Sequence, residues 1–111
     1  MLRNLDRRDL QPEVMDQPGL DRGRHETALS ALSRVNAVSR AAACVWRPIG
    51  ELANRCGLDE LTVCDLASGG GDVGLGLVRC GRRRGVRIRL CGYDVSPTAV
   101  ERARRGAEAA G

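Results

Sequence analysis

The chain has 111 residues, room for one small domain at most. Its apolar share of 42% is ordinary for a globular protein, but with no Phe, one Trp and one Tyr the core must be built from Leu, Val, Ile, Ala and Cys. The net charge of +4 comes wholly from arginine; a nucleic-acid-binding module would usually mix in lysine and add aromatics for stacking, so the balance speaks for compositional bias over a nucleic-acid partner.

Residues 1 to about 23 are polar, carry Pro12, Pro18, Gly19 and Gly23, and read as an irregular leader with a short helical turn near Glu13 to Asp16. The N-terminus is charged from Arg3 to Asp9 and has no apolar core, so no signal peptide is visible, and no run is long enough to cross a membrane. From Glu26 the spacing of Leu29, Leu32 and Val35 predicts a helix, which Asn36 to Ser39 weakens. A second helical segment comes next over Ala41 to Arg55; Pro48 either opens a fresh helix or kinks a continuous one, and Gly57 supplies a stop. Trp46 is expected to pack this helical cap onto a sheet built by the second half of the chain.

From Leu58 the pattern changes. Leu61 to Leu66 reads as a short strand and Asp72 to about Arg83 as a helix, with Arg82, Arg83 and Arg84 placed where positive charge favours a helix C-terminus. Arg87 to Asp94 is the second strand, then come Ser96 as N-cap, Pro97 at the first helical position and a last helix through Val100, Ala103 and Ala107. The division is therefore a leader and helical cap over 1–57 and a β–α–β–α unit over 58–111. Alternating strands and helices predict an α/β fold, a parallel sheet covered on both faces.

Five cysteines (Cys44, Cys56, Cys64, Cys80 and Cys91) form no C-x-x-C pair, and the single histidine, His25, makes a zinc site poorly supported. Cys64 and Cys91 fall in strands expected to be buried, where a thiol acts as a small hydrophobe. All five read as reduced and structural, which points to the cytoplasm. His25 lies in a polar stretch ahead of the first apolar stripe and reads as a solvated surface residue.

The chemistry concentrates in Thr62-Val63-Cys64-Asp65-Leu66-Ala67-Ser68-Gly69-Gly70-Gly71-Asp72. An apolar run delivers a carboxylate, glycines let backbone approach a ligand, and the next helix presents free N–H groups. A second apolar run ends in another acid, Asp94. Gly69, Gly71 and Gly74 also satisfy the dinucleotide pattern G-x-G-x-x-G, with Asp94 near the spacing of a ribose-binding acid, so an NAD(P)-dependent oxidoreductase competes. Against it, Asp65 stands four residues ahead of Gly69, where its charge disfavours a pyrophosphate and better tolerates an ammonium or sulfonium group. Simpler alternatives are a plain tight turn, Asp94 as a local cap at Ser96, and Asp72 as an acid complementing the helix dipole.

Asp65-Leu66-Ala67-Ser68-Gly69-Gly70-Gly71 resembles motif I of class I S-adenosylmethionine-dependent methyltransferases, usually acid-x-Gly-x-Gly-x-Gly. Ala67 replaces the first glycine, a departure shared with the menaquinone/ubiquinone-biosynthesis branch. Gly92-Tyr93-Asp94-Val95-Ser96-Pro97 is similar to the end of the second strand in those enzymes. Met15-Asp16, Arg34-Val35-Asn36 and Trp46-Arg47-Pro48-Ile49 are similar to the cap of small bacterial members. The resemblance covers nearly the whole chain, most specifically Val63 to Arg104. It implies the first half of a Rossmann-like doubly wound sheet that binds S-adenosylmethionine. It also implies that backbone at Ala67, Gly69 and Gly71 approaches the methionine part, with Asp65 helping to place that part. By the same resemblance Asp94 accepts from the ribose hydroxyls and Val95 packs on the adenine.

The implied activity is methyl transfer to a small-molecule acceptor, with no base assignable among these residues. An NAD(P)-binding fragment and a non-catalytic arginine-rich nucleic-acid module are the alternatives. The family's domain is close to twice this length, so the sequence is expected to be the N-terminal portion of such an enzyme, and inactive alone.

Overall fold

The computed structural model describes Gln17 and residues 19–111. The helical turn expected near Glu13 to Asp16 and the Met15-Asp16 pair of the cap lie outside the described residues. The element order is α1 (Arg22–Val38), α2 (Ala41–Cys56), β1 (Glu60–Leu66), α3 (Asp72–Arg83), β2 (Arg87–Tyr93) and α4 (Pro97–Ala110).

α1 begins four residues earlier than its apolar stripe announces, because Asp21 caps it: the Asp21 carboxylate accepts from the Arg24 N–H at 3.2 Å. The break falls at Ser39 and Arg40, the latter left-handed at φ 55°. α2 then runs unbroken from Ala41 with Pro48 inside it, so Pro48 opens no fresh helix. Gly57, at φ 64°, ends α2, and the Leu58 N–H donates back to the Ala53 carbonyl at 2.9 Å, satisfying a last-turn acceptor.

β1 and β2 pair in parallel, from Glu60 opposite Arg87 to Leu66 opposite Tyr93, with Asp65 opposite Gly92. This mixed helix–strand arrangement with a two-stranded parallel sheet is compatible with the α/β class. α3 bridges the two strands and covers the face that carries Leu61, Val63, Ile88 and Leu90. It does so at close range: a Cβ on Gly74 would stand 2.7 Å from Leu90, and one on Gly81 2.7 Å from the Val86 carbonyl oxygen. On the far side of α3, Gly76 faces Ala42 of α2. Leu29, Leu77 and Ile88 are the large buried aliphatics, joined by Ala53 and Ala99.

The structure corrects three expectations. The sheet is covered on one face only: Leu66 and Tyr93 are 75% and 61% exposed on the other, and among the described residues no element packs there. Cys64 and Cys91 lie on that open face and are exposed, with Cys44 and Cys56 exposed too and Cys80 half-buried. Trp46 does not carry the cap onto the sheet. Its ring lies over Gly50 of its own helix, where a Cβ would come within 2.9 Å, while α2 as a whole docks on α3.

Candidate functional site

The link from β1 to α3 turns through three left-handed positions at alternate residues: Ala67 at φ 58°, Gly69 at φ 54° and Gly71 at φ 79°. Glycine takes this conformation freely, whereas an alanine there costs about 1–2 kcal/mol. The turn folds back over the end of β2. The Ser68 N–H donates to the Tyr93 carbonyl at 2.9 Å and the Gly71 N–H to the Ser68 carbonyl at 3.0 Å.

Asp94, one residue beyond β2, ties two loops together. Its Oδ2 accepts from the Gly69 N–H at 2.8 Å and its Oδ1 from the Ser96 N–H at 2.9 Å. The bond from Ser96 is the local turn that a capping role would give. The bond from Gly69 joins residues 25 apart in sequence, which a local cap does not require. An ionised carboxylate has about four lone-pair sites, so each oxygen keeps acceptor capacity after these two bonds. Ser96 caps α4 as its sequence position suggests, with the Ala99 N–H donating to Ser96 Oγ at 3.2 Å.

Ala67, Gly69, Asp94 and Val95 line one cavity of about 530 Å³ at the C-terminal ends of the strands, within the span of about 300–1,000 Å³ usual for small-molecule sites. Ligands of open parallel sheets bind at that end. Val95 is fully exposed, leaving an apolar side chain available to a planar ligand. The opposite wall comes from α1 and the residues before it, including Leu20, His25, Leu29 and Leu32. A larger cavity of about 920 Å³, beside Trp46, Asp59 and Arg84, lies where the strands begin and holds none of the sequence-derived site residues.

Two of those residues stand apart. The Asp65 carboxylate points at the first turn of α3, its Oδ2 3.4 Å from where a Gly74 Cβ would be. Gly71 is buried, and a Cβ there would meet the Ala103 Cβ at 3.0 Å, so its smallness lets α4 approach. Asp72, the first residue of α3, accepts from Ser33 Oγ at 2.9 Å and so ties α1 to that helix.

His25 is the residue the sequence misplaced. It is buried, at 9% exposure, and lines the cavity. The signal was available: His25, Leu29 and Leu32 are spaced to share one helix face, and Leu29 is 1% exposed beside Gly69.

Polar ties hold α1 against α4. Glu26 Oε2 receives Arg102 Nη1 at 3.3 Å, Glu26 Oε1 receives Arg105 Nη2 at 2.8 Å, and Arg22 meets Glu101 at 2.8 Å. The Arg102 stem covers Gly70, where a Cβ would come within 3.0 Å of Arg102 Cδ. Desolvation alone would raise the Glu26 carboxyl; hydrogen bonds and charge from Arg105 and Arg102 outweigh it and hold the group below its ordinary value of 4.5. Among the described residues no cluster of His, Cys, Asp and Glu could hold a metal ion, and no helix is long and apolar enough to cross a membrane. No family model, curated protein or solved structure matches this chain.

Proposed function

We propose that this chain carries the cofactor-binding part of an S-adenosylmethionine-dependent methyltransferase, with the strands forming the start of a Rossmann-like doubly wound sheet. One observation carries the proposal. A carboxylate at the end of β2 is hydrogen-bonded to the glycine turn after β1, and both line a single cavity with Ala67 and Val95.

The residues fit the group. Asp94 would receive the ribose hydroxyls on the acceptor capacity its backbone bonds leave free. Val95 would lie on the adenine, and the backbone of Ala67 and Gly69 would approach the methionine part. Asp65 and Gly71 support the turn from beneath, Asp65 by placing charge near the first turn of α3 and Gly71 by admitting α4. The cofactor supplies an electrophilic methyl group on a sulfonium; the protein's task is to hold it, exclude water and orient a small-molecule acceptor in line. The free thiols agree with a cytoplasmic setting.

An NAD(P)-binding reading has one observation in its favour: Gly74 sits against Leu90 as the third glycine of the dinucleotide pattern sits against its strand. Two carboxylates oppose it. Asp65 and Asp72 already lie at the first turn of α3, where a pyrophosphate would have to come. Titration calorimetry of the whole chain with S-adenosylhomocysteine and with NAD decides between them. Saturable heat with S-adenosylhomocysteine alone is the expected result; saturable heat with NAD alone would replace this proposal by the oxidoreductase.

A further inference from the structure

We infer that His25 is a ligand-contacting residue of the Asp94 cavity, hydrogen-bonding the nucleoside half of the molecule bound there; the inference rests on the cofactor proposal above. The helical segment ahead of the sheet is then part of the binding site.

Three observations carry it. His25 is about nine-tenths buried, and among the described residues its ring has no hydrogen-bond partner. No side-chain nitrogen or oxygen among the described residues is both sealed from solvent and unpartnered, and the ring lines this cavity, so a molecule held there comes within its reach.

The second observation is how α1 fixes the ring. Leu29, one turn on along the same face, is buried beside Gly69, and Glu26 is held by Arg102 and Arg105 of α4. His25 therefore sits on a wall anchored from both flanks and has little freedom to swing out to solvent. The third is what else that wall offers: Leu20, Leu29 and Leu32 are apolar, leaving the imidazole the prominent polar group facing a ligand from α1.

The nucleoside half is the chemistry that fits. The wall opposite α1 runs from Asp94 through Val95 to Ala99, so the ring shares its cavity with the groups assigned to ribose and adenine. Imidazole can donate from one nitrogen and accept at the other, which suits a sugar hydroxyl or a base-edge nitrogen equally.

His25 is the only histidine in the chain, so its ring signals can be read without ambiguity. The test is two-dimensional NMR on the whole, ring-labelled chain, titrated separately with S-adenosylhomocysteine, adenosine and L-methionine, with the Gly69 amide followed in parallel. S-Adenosylhomocysteine and adenosine are expected to shift the His25 ring and the Gly69 amide with a common dissociation constant, and methionine is expected to leave the ring unmoved. In calorimetry His25→Gln is expected to weaken S-adenosylhomocysteine by about tenfold, the worth of one hydrogen bond. A Gly69 amide that shifts while the His25 ring does not would overturn the inference and leave the cofactor proposal standing. A ring that answers to methionine alone would overturn the nucleoside placement. No shift and no heat with any of the three would overturn both.

Discussion

Replacing Asp94 by asparagine separates its two roles, because one change strikes a backbone tie and a ligand acceptor together while two readouts keep them apart. The carboxylate accepts from Gly69 at 2.8 Å and from Ser96 at 2.9 Å, one bond on each oxygen. Asparagine has the same shape but one acceptor oxygen, so whichever way the amide turns, its NH₂ faces one of the two N–H donors. The loss is one hydrogen bond to a charged group, worth about 1.5–3 kcal/mol. For a domain near this size each kcal/mol moves the melting temperature by about 4–8 °C, so Asp94→Asn should lower it by on the order of 10 °C. The assay is a thermal melt with and without S-adenosylhomocysteine. Ligand at a hundredfold excess over its dissociation constant should add about 2.7 kcal/mol to the wild-type chain, and this gain should nearly vanish in the variant. A variant that melts with the wild type refutes the tie between the loops. One that melts lower yet gains the full ligand shift refutes Asp94 as the acceptor for ribose.

Three further changes probe the same geometry. Ala67→Gly should raise stability by up to about 1 kcal/mol, since relief of the left-handed alanine outweighs the glycine's extra unfolded-state entropy; a fall in denaturant midpoint would contradict the strain argument. Gly76→Ala places a Cβ 2.5 Å from that of Ala42, and this overpacking, about 1–3 kcal/mol, should exceed the helix-propensity gain of about 1 kcal/mol. Equal or higher stability by urea titration would show that α2 can move off α3 freely. Glu26→Gln addresses acid sensitivity. The Glu26 carboxyl is depressed in the folded chain, so its contribution is present above its unfolded value of about 4.5 and is lost as pH falls through the lower folded value. Melting temperatures of wild type and variant should therefore converge as pH drops below that value, and a constant gap down to strongly acid pH would refute the linkage.

The second half of the chain was legible because its signals are local. Ser96 with Pro97 marks the start of α4, Gly57 the end of α2, and the apolar runs place both strands to within a residue or so. Asp94 and Gly69 stand out by spacing along a strand–turn–helix unit, Ala67 and Val95 only through the resemblance to motif I and to the end of the second strand, and the chain brings all four to one cavity. What escaped depends on partners distant in sequence. Whether Cys64 and Cys91 are buried is decided by what covers their face of the sheet, a fact absent from the runs that contain them. The direction of Asp65 is set by the pleat: it shares a face with Leu61 and Val63, and that face turns toward α3. His25 was obscured by the polar residues around it, and only its spacing from Leu29 and Leu32 shows that it faces inward.

α1 couples the site to the stability of the chain. Among the described residues three large aliphatics are buried, and packing of these alone gives the helices limited hold on one another. α1 is tied instead by Glu26 to Arg102 and Arg105, by Arg22 to Glu101 and by Ser33 to Asp72. Ion pairs this close to water are individually weak, so the helix is held by several weak contacts rather than one strong one. The same helix supplies His25, Leu29 and Leu32 to the cavity wall. A ligand gripped between that wall and Asp94 therefore adds its binding energy to the contacts that dock α1 on α4. Protection of the α1 amides from hydrogen exchange should rise with ligand by more than that of α2, which docks on α3 and lines no part of this cavity.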